Sequence, residues 1–465
     1  DLLRAAYGLI LLGSLLQAMP QWRRFFLSER WGGYGASSPA VDAVQNPAVM
    51  PLVLAAWLGS AACLAAGIWS VPAALLNAVL CYYFFIFMRW RGLLRGMGAP
   101  GFMLWWLGTA VLLVEYARTR SAALASLALL AAQVDFAIIM ITAGIAKIYG
   151  GYARGHGMEL GLANPMWGYW WARYGSLAPS HWLFLAMNHL GWSVEIVAGV
   201  LMLFPATRAL GGFMILASFV FIAANIRLSL LCETVIVCCF LFWPVQSAAG
   251  LPTAPEVWLD RALEWGLWAY IALRPAALAG LSWNYYGRRS LPGPVQWALD
   301  RYANLFGIIL WRVFTADIVD FHIRIFRRLR GGGPRTELSR YDRPGDLRFN
   351  HVGEAITVTS LFTALRYFPD RTDIFEGKLL RYAATLGLAA GEEAVFVLVV
   401  LRKAEEEFEH VPAVEFIVDP ASKTVREARL DEAAFKAWVG SGSAVLQARG
   451  QGSYAPAGAT GAAAR

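Results

Sequence analysis

Residues 121–148 read SAALASLALLAAQVDFAIIMITAGIAKI. The stretch is apolar almost throughout and longer than the about 20 residues an α-helix needs to cross a bilayer. Comparable blocks lie on both sides of it. Before it come 2–20, ending at Pro20, then 50–68, 71–88 and 102–117. After it come 187–205, 208–225 and 226–246. A weaker block, 262–283, carries Glu264 and Arg274 and reads either as a further span or as an interfacial segment. The expected fold is an all-α polytopic membrane bundle of 8–9 spans. Blocks 50–68 and 71–88 are nearly contiguous, so a tight helical hairpin is expected there. The block at 2–20 shows no cleavage site of the small-residue kind and is expected to be a retained helix.

Composition agrees. Of 465 residues, 58% are hydrophobic and 15% charged, against about 45–50% and about 25% for a soluble domain. The net charge of +8 sits in arginines that flank apolar blocks, which suits anionic lipid headgroups; no nucleic-acid signature is present. Cys63, Cys81, Cys232, Cys238 and Cys239 all fall inside apolar segments, without a CxxC, and read as small buried residues. Trp105, Trp106, Trp167, Tyr169, Trp170, Trp171, Trp182 and Trp243 gather near block ends, where amphipathic rings favour the headgroup level. Arg23, Arg24, Arg30, Arg89, Arg91, Arg95, Lys147, Arg154 and Arg173 follow the odd-numbered blocks, whereas only Arg118, Arg120 and Arg208 follow the even ones. That bias places the odd loops in the cytoplasm and the N-terminus outside. A ninth span then leaves the C-terminal region cytoplasmic; eight spans leave it outside.

The domain reading is 1–290 transmembrane, 291–333 an interfacial amphipathic helix and linker, 334–448 a small soluble α+β domain, and 449–465 a disordered tail. Over 297–330, Leu299, Tyr302, Phe306, Leu310, Phe314, Ile318, Phe321 and Ile325 recur at three- and four-residue steps, with Asp300, Asp317, Asp320, Arg324 and Arg327 opposite. The helix lies in the membrane surface or packs on the soluble domain, and Gly331 to Gly333 end it. Further on, Val395 to Leu401 reads as a strand, and Val414 to Val418 and Thr424 to Leu430 flank a turn at Asp419–Lys423. Leu361 to Tyr367 and Phe375 to Leu386 read as helices.

Ionisable residues inside spans are costly unless paired, so each is a candidate functional residue. They are Asp135, Glu195, Arg227 and Glu233, with Lys147 closing its span. Asp135 and Lys147 are twelve residues apart, about 18 Å along a helix, so partners must come from other spans. The expected arrangement is a polar cavity where spans five, six and eight meet, with Asp135 or Glu195 near Arg227. Two roles stay open: glue between helices, or the lining of a cofactor site that also takes in His189. Lys147 is either a snorkelling side chain at a helix end or a base whose pKa desolvation lowers. In the latter case His156 and Glu159 of the following Gly-rich loop could assist. No HxxxH, HExxH, phosphate loop or GxSxG is present.

Ala143-Gly-Ile-Ala-Lys-Ile148, followed by Gly157-Met-Glu159, resembles the AG-x-x-K-L…G-x-x-Met-Glu signature of the vitamin K-dependent γ-glutamyl carboxylases and their wider bacterial relatives, the HTTM (horizontally transferred transmembrane) proteins. The likeness continues through His189-Leu-Gly-Trp-Ser-Val-Glu195-Ile-Val-Ala-Gly199 and Asn225 to Phe240, and spans roughly residues 1–250. It implies a bacterial inner-membrane protein, Lys147 as a base acting on a quinol, and Glu195 as the family's acidic residue. The segment Leu76-Asn-Ala-Val-Leu-Cys-Tyr-Tyr-Phe-Phe85 lacks the His that the carboxylases have ahead of this region, and the C-terminal region is far shorter than theirs. Two functions follow as expectations. One is a scaffold or accessory subunit of a larger membrane complex, in contact with lipids and other membrane-protein subunits and binding a lipid or quinone. The other is a carboxylase-like enzyme in which Lys147, His156 and Glu195 are catalytic and Asp135, His189, Arg227 and Glu233 help hold a quinone or quinol cofactor.

Overall fold

The computed structural model of the chain describes residues 1–88, 91–93, 98–228, 230–243, 257–287, 289–305, 316–339 and 348–447. The tail expected to be disordered, 449–465, lies outside them, as do Arg89 and Arg95. Nine main helices among the described residues follow the apolar blocks: α1 Leu2–Ala18, α2 Met50–Ala66, α3 Ser70–Cys81, α4 Gly98–Arg118, α5 Ala122–Tyr149, α6 Trp182–Met202, α7 Arg208–Asn225, α8 Leu231–Cys238 and α9 Trp258–Tyr286. Among the described residues, five helical stretches are long and apolar enough to cross a membrane: Leu2–Phe26, Ser70–Phe87, Ala122–Tyr149, Trp182–Met202 and Arg208–Asn225. This is an integral membrane protein by that criterion.

Local chemistry sets the helix ends. Ser121 starts α5 by accepting a hydrogen bond from the Leu124 N–H at 3.2 Å. Gly67 ends α2 at φ +78°, and its missing Cβ leaves room for the Arg4 guanidinium, so α2 and α3 form the tight hairpin. α3 widens into a π-helical turn at Tyr82–Phe87, closed by the Met88 N–H on the Tyr83 carbonyl at 2.9 Å.

Two block boundaries need correction. The sixth helix begins at Trp182, five residues before the expected 187. The eighth was expected from 226 but begins at Leu231. The helix is interrupted at Ile226, which is extended, because the backbone there bonds to the loop after α5: Ile226 bridges to Gly168, and the Arg227 N–H donates to the Trp167 carbonyl at 2.7 Å.

The expected amphipathic helix over 297–330 ends as a strand, and its residues 306–315, with Phe306, Leu310 and Phe314, lie outside the described residues. α10 runs Gly293–Leu305 and a short helix covers Ala316–Val319, but Phe321–Leu329 is a strand, β1. Phe321 and Ile325 are four apart and satisfy either period. Ile323, buried between them, fits only the alternation of a strand. Nine residues of β1 pair antiparallel with β3 (Glu392–Lys403), from Phe321 opposite Val400 to Leu329 opposite Glu392. The soluble domain therefore includes residues from 321, upstream of the expected boundary at 334.

Its antiparallel sheet has the order β2-β1-β3-β4-β5, with β2 at Thr336–Glu337, β4 at Phe408–Asp419 and β5 at Thr424–Arg429. Helices α11 (Arg348–Tyr367), α12 (Thr372–Ala384) and α13 (Glu432–Gln447) cover one face. Phe362, Phe375 and Phe416 meet there at centroid distances of 5.0–5.7 Å, and Phe321 meets Trp438 at 5.2 Å.

His322 is buried, 5.3 Å ring to ring from His410. Burial first, then the neighbouring His410 and Arg324, push its imidazole down to about 3. An unfolded histidine titrates near about 6.5. Between those values the unfolded chain binds the extra proton, so the domain loses stability as pH falls from about 6.5 towards 3. His322→Phe is expected to flatten that part of a stability–pH profile of the purified chain. An unchanged slope would remove His322 as its cause.

The soluble domain docks on the ends of three helices. The Arg24 Nε, after α1, donates to Thr385 Oγ1 at 3.4 Å. Thr357 Oγ1 donates to the Leu93 carbonyl, after α3, at 2.9 Å. After α5, the Asn164 amide donates to the carbonyls of Val319 and Phe321 at 2.7 and 2.8 Å. At the opposite end, Asp260 at the start of α9 accepts from Arg120 Nε at 3.1 Å and from the Tyr116 hydroxyl at 3.0 Å.

Candidate functional site

α5 and α6 pack antiparallel and very closely because each presents a glycine to the other. A Cβ on Gly144 would lie 2.7 Å from the Trp192 carbonyl oxygen and 2.6 Å from Ile196 Cγ1. A Cβ on Gly199 would lie 2.8 Å from the Ala137 carbonyl oxygen and 2.6 Å from Ile141 Cγ1. Small residues at facing positions are how membrane helices gain close backbone contact. One turn beyond Gly144, the same approach brings Lys147 onto Glu195.

Lys147 and Glu195 form a buried ion pair through Nζ and Oε1, and the Lys147 ammonium also donates to the Gly191 carbonyl at 3.4 Å. Glu195 Oε2 is buried and has no hydrogen-bond partner among the described residues. Neither does the buried hydroxyl of Tyr152, whose ring centroid lies 5.9 Å from Lys147 Nζ. Tyr152 is seated by glycine: a Cβ on Gly157, where φ is +152°, would come within 2.1 Å of its ring.

Glu159 lies on the far side of Gly157 and is fully buried. Its Oε2 accepts from the Gly157 N–H at 3.0 Å and from the Asn188 amide at 2.8 Å. Its Oε1 takes a 2.8 Å ion pair with Lys403, at the end of β3 in the soluble domain. Lys403 Nζ also meets Nδ1 of His156, whose side chain is half exposed. Of the predicted residues, Lys147, Glu195, Glu159 and His156 thus fall in one neighbourhood.

The others do not join them. Asp135 or Glu195 was expected near Arg227; Glu195 pairs with Lys147 instead, and Asp135 binds Arg274 and the Tyr270 hydroxyl of α9 and accepts from Trp106 Nε1 of α4 at 2.6 Å. A buried carboxylate needs a compensating cation, and Arg274 supplies it from the block whose charge had counted against a span. Arg227, expected inside span eight, sits in the break before α8. It donates to the Pro165 carbonyl at 3.1 Å and lies 5.2 Å over Tyr169. Glu233 is in the first turn of α8, with neither Lys147 nor Glu195 among its described partners. His189 is exposed and accepts from Trp192 Nε1 at 3.4 Å. Among the described residues, Asp135 and Arg227 therefore do not share a site with the Lys147–Glu195 pair. Two surface hollows, of about 590 and about 520 Å³, lie elsewhere, at Arg30 to Ala48 and at Trp69 to Thr119.

Sequence reasoning missed Lys403, Tyr152 and Asn188. Lys403 reaches the cluster only through sheet docking, with no local signal. Tyr152 had one, a tyrosine inside the Gly-rich run that follows Lys147. No protein-family model, curated protein or solved structure matches this chain.

Proposed function

We propose that this chain is an integral membrane protein of the HTTM kind whose Lys147–Glu195 pair handles a proton for a lipid-soluble, quinol-like hydroxyl compound. The observation that carries the reading is the buried ion pair flanked by two unpartnered polar atoms, Glu195 Oε2 and the Tyr152 hydroxyl. A buried polar atom without a partner costs about 1–3 kcal/mol, and a ligand hydroxyl that bonds to both removes that cost. A bound quinol supplies a weakly acidic hydroxyl. Lys147 is committed to Glu195 and Gly191, so Glu195 Oε2 is the atom placed to accept the proton. Lys147 then holds the neighbouring negative charge. This reverses the roles that the family resemblance implies.

All nine helices cross or enter the bilayer in this reading, although α8 with its 3-10 continuation to Phe242 is shorter than a full crossing. The soluble domain docks beside the loops after α1, α3 and α5, and the arginines of those loops support the cytoplasmic face of a bacterial inner membrane in this reading. A second reading, a scaffold for other membrane subunits, is favoured by the outward face of α9, where Trp258, Trp265, Trp268 and Trp283 are exposed.

The test is titration of a short-chain naphthoquinone into the full chain in nanodiscs, with mass spectrometry of whatever copurifies. Binding that falls about tenfold or more in Glu195→Gln and Lys147→Met but not in His189→Ala supports the proton site. Unchanged binding in the first two variants, or no binding together with a stoichiometric protein partner, overturns it in favour of the scaffold.

A further inference from the structure

We infer that Lys403 of the soluble domain is a positioning residue for the membrane site. It neutralises the buried Glu159 and so holds the loop after α5 against Tyr152, which makes the Lys147–Glu195 site complete only while the soluble domain is docked. The inference rests on the reading of that pair as a ligand site.

Glu159 is fully buried, and a buried carboxylate needs a compensating cation to stay charged and in place. Two of its partners, the Gly157 N–H and the Asn188 amide, are neutral. The half-exposed His156 lies 3.9 Å from its Oε1. Among the described residues, the one lysine or arginine that pairs with it is Lys403, at 2.8 Å.

From Glu159 the restraint runs back to the site through backbone and packing. Asn188, buried in α6, grips the loop twice. Its Nδ2 donates to Glu159 Oε2 at 2.8 Å, and its Oδ1 accepts from the Met158 N–H at 2.9 Å. Gly157, whose N–H is held by Glu159, forms one wall of the seat of the Tyr152 ring. The other wall is Gly191, where a Cβ would lie 3.4 Å from that ring. The Gly191 carbonyl also accepts from Lys147. Tyr152 is therefore held between two glycines over the Lys147 ammonium, and its seat lasts only while the loop carrying Gly157 stays in place. Without Lys403 the Glu159 carboxylate turns out to water and takes that loop with it. Lys403 ends β3, so its reach depends on the docking that Asn164 secures on Val319 and Phe321, and Phe184 on Phe408. The coupling is reciprocal: a ligand that fixes Tyr152 strengthens docking of the soluble domain.

The test is backbone hydrogen–deuterium exchange of the full chain in nanodiscs, first with no ligand. Lys403→Met is expected to speed exchange of the Gly157 and Met158 amides by about tenfold or more. Lys403→Arg keeps the charge and should keep most of the protection. Lys403→Met combined with Glu159→Gln should restore it, since a neutral amide needs no cation. Exchange of Val395 to Val400, paired with β1, reports whether the soluble domain is still folded. Unchanged protection in Lys403→Met overturns the inference. So does a double variant as labile as Lys403→Met, in the loop or in β3, because neutralising Glu159 is then not what Lys403 does. A short-chain naphthoquinone is then titrated into the same variants. Binding about tenfold weaker in Lys403→Met and recovered in the double variant is expected. Equal binding in wild type and Lys403→Met overturns the link to the site. Loss of loop protection in Lys403→Met with no naphthoquinone bound even by wild type overturns the proposed function instead, so the two failures are distinct.

Discussion

Gly144→Leu and Gly199→Leu are each expected to abolish the folded bundle, and the alanine variants to weaken it. Even one added carbon at either site meets a backbone carbonyl oxygen of the facing helix, at 2.7 Å and 2.8 Å, which cannot rotate away as a side chain can. Overpacking of this kind costs about 1–3 kcal/mol. The gain in helix propensity from Gly to Ala, about 1 kcal/mol, offsets part of it. Gly59, in α2, is the control: nothing lies within 4 Å of its Cβ position, so Gly59→Ala should be neutral or slightly stabilising. Thermal unfolding of the purified chain in mild detergent separates the cases. Alanine at 144 or 199 melting with Gly59→Ala would mean that the α5–α6 contact is looser than described, and the Lys147–Glu195 pairing would lose its structural cause.

Lys147→Met is expected to destabilise the chain more than any other single change at the site, by about 3–5 kcal/mol, because it strands a charged Glu195 among apolar helices. The double variant Lys147→Met, Glu195→Leu should recover most of that loss, since an apolar pair of similar volume has no charge to desolvate. A double-mutant cycle in detergent reads the coupling directly. Additive effects would show that the two charges do not depend on each other. Loss of the proposed ligand in the stable double variant would then report on chemistry rather than on folding.

Much of the bundle was legible from hydropathy alone, because a bilayer imposes one length on any segment that crosses it. The α2–α3 hairpin and α5 lie almost where the apolar blocks place them. Failures occurred where two periods or two environments compete. Phe321 and Ile325 fit a helix as well as a strand, and only pairing with Val400 and Phe396 of β3 decides for the strand. Trp182 begins α6 earlier than hydropathy suggests because the first turns of that helix pack on protein, with Phe184 against Phe408 at 6.0 Å. Arg227 could not be placed from sequence, because its environment is made by the loop at Pro165 to Tyr169, sixty residues away.

The sequence by itself determined that the chain lives in a membrane, that Lys147 closes an apolar helix before a Gly-rich turn, and that buried charges there require partners from other helices. Those are one-dimensional statements about transfer free energy, and composition and spacing carry them. Only the tertiary structure decided who the partners are. Glu195 meets Lys147 because Gly144 and Gly199 let two backbones touch. Arg274 meets Asp135 because α9 packs against α5. Lys403 meets Glu159 because an antiparallel sheet delivers it from 244 residues along the chain. Electrostatic pairing acts over a few ångströms, and no local signal in a chain records which distant residue will come within that distance.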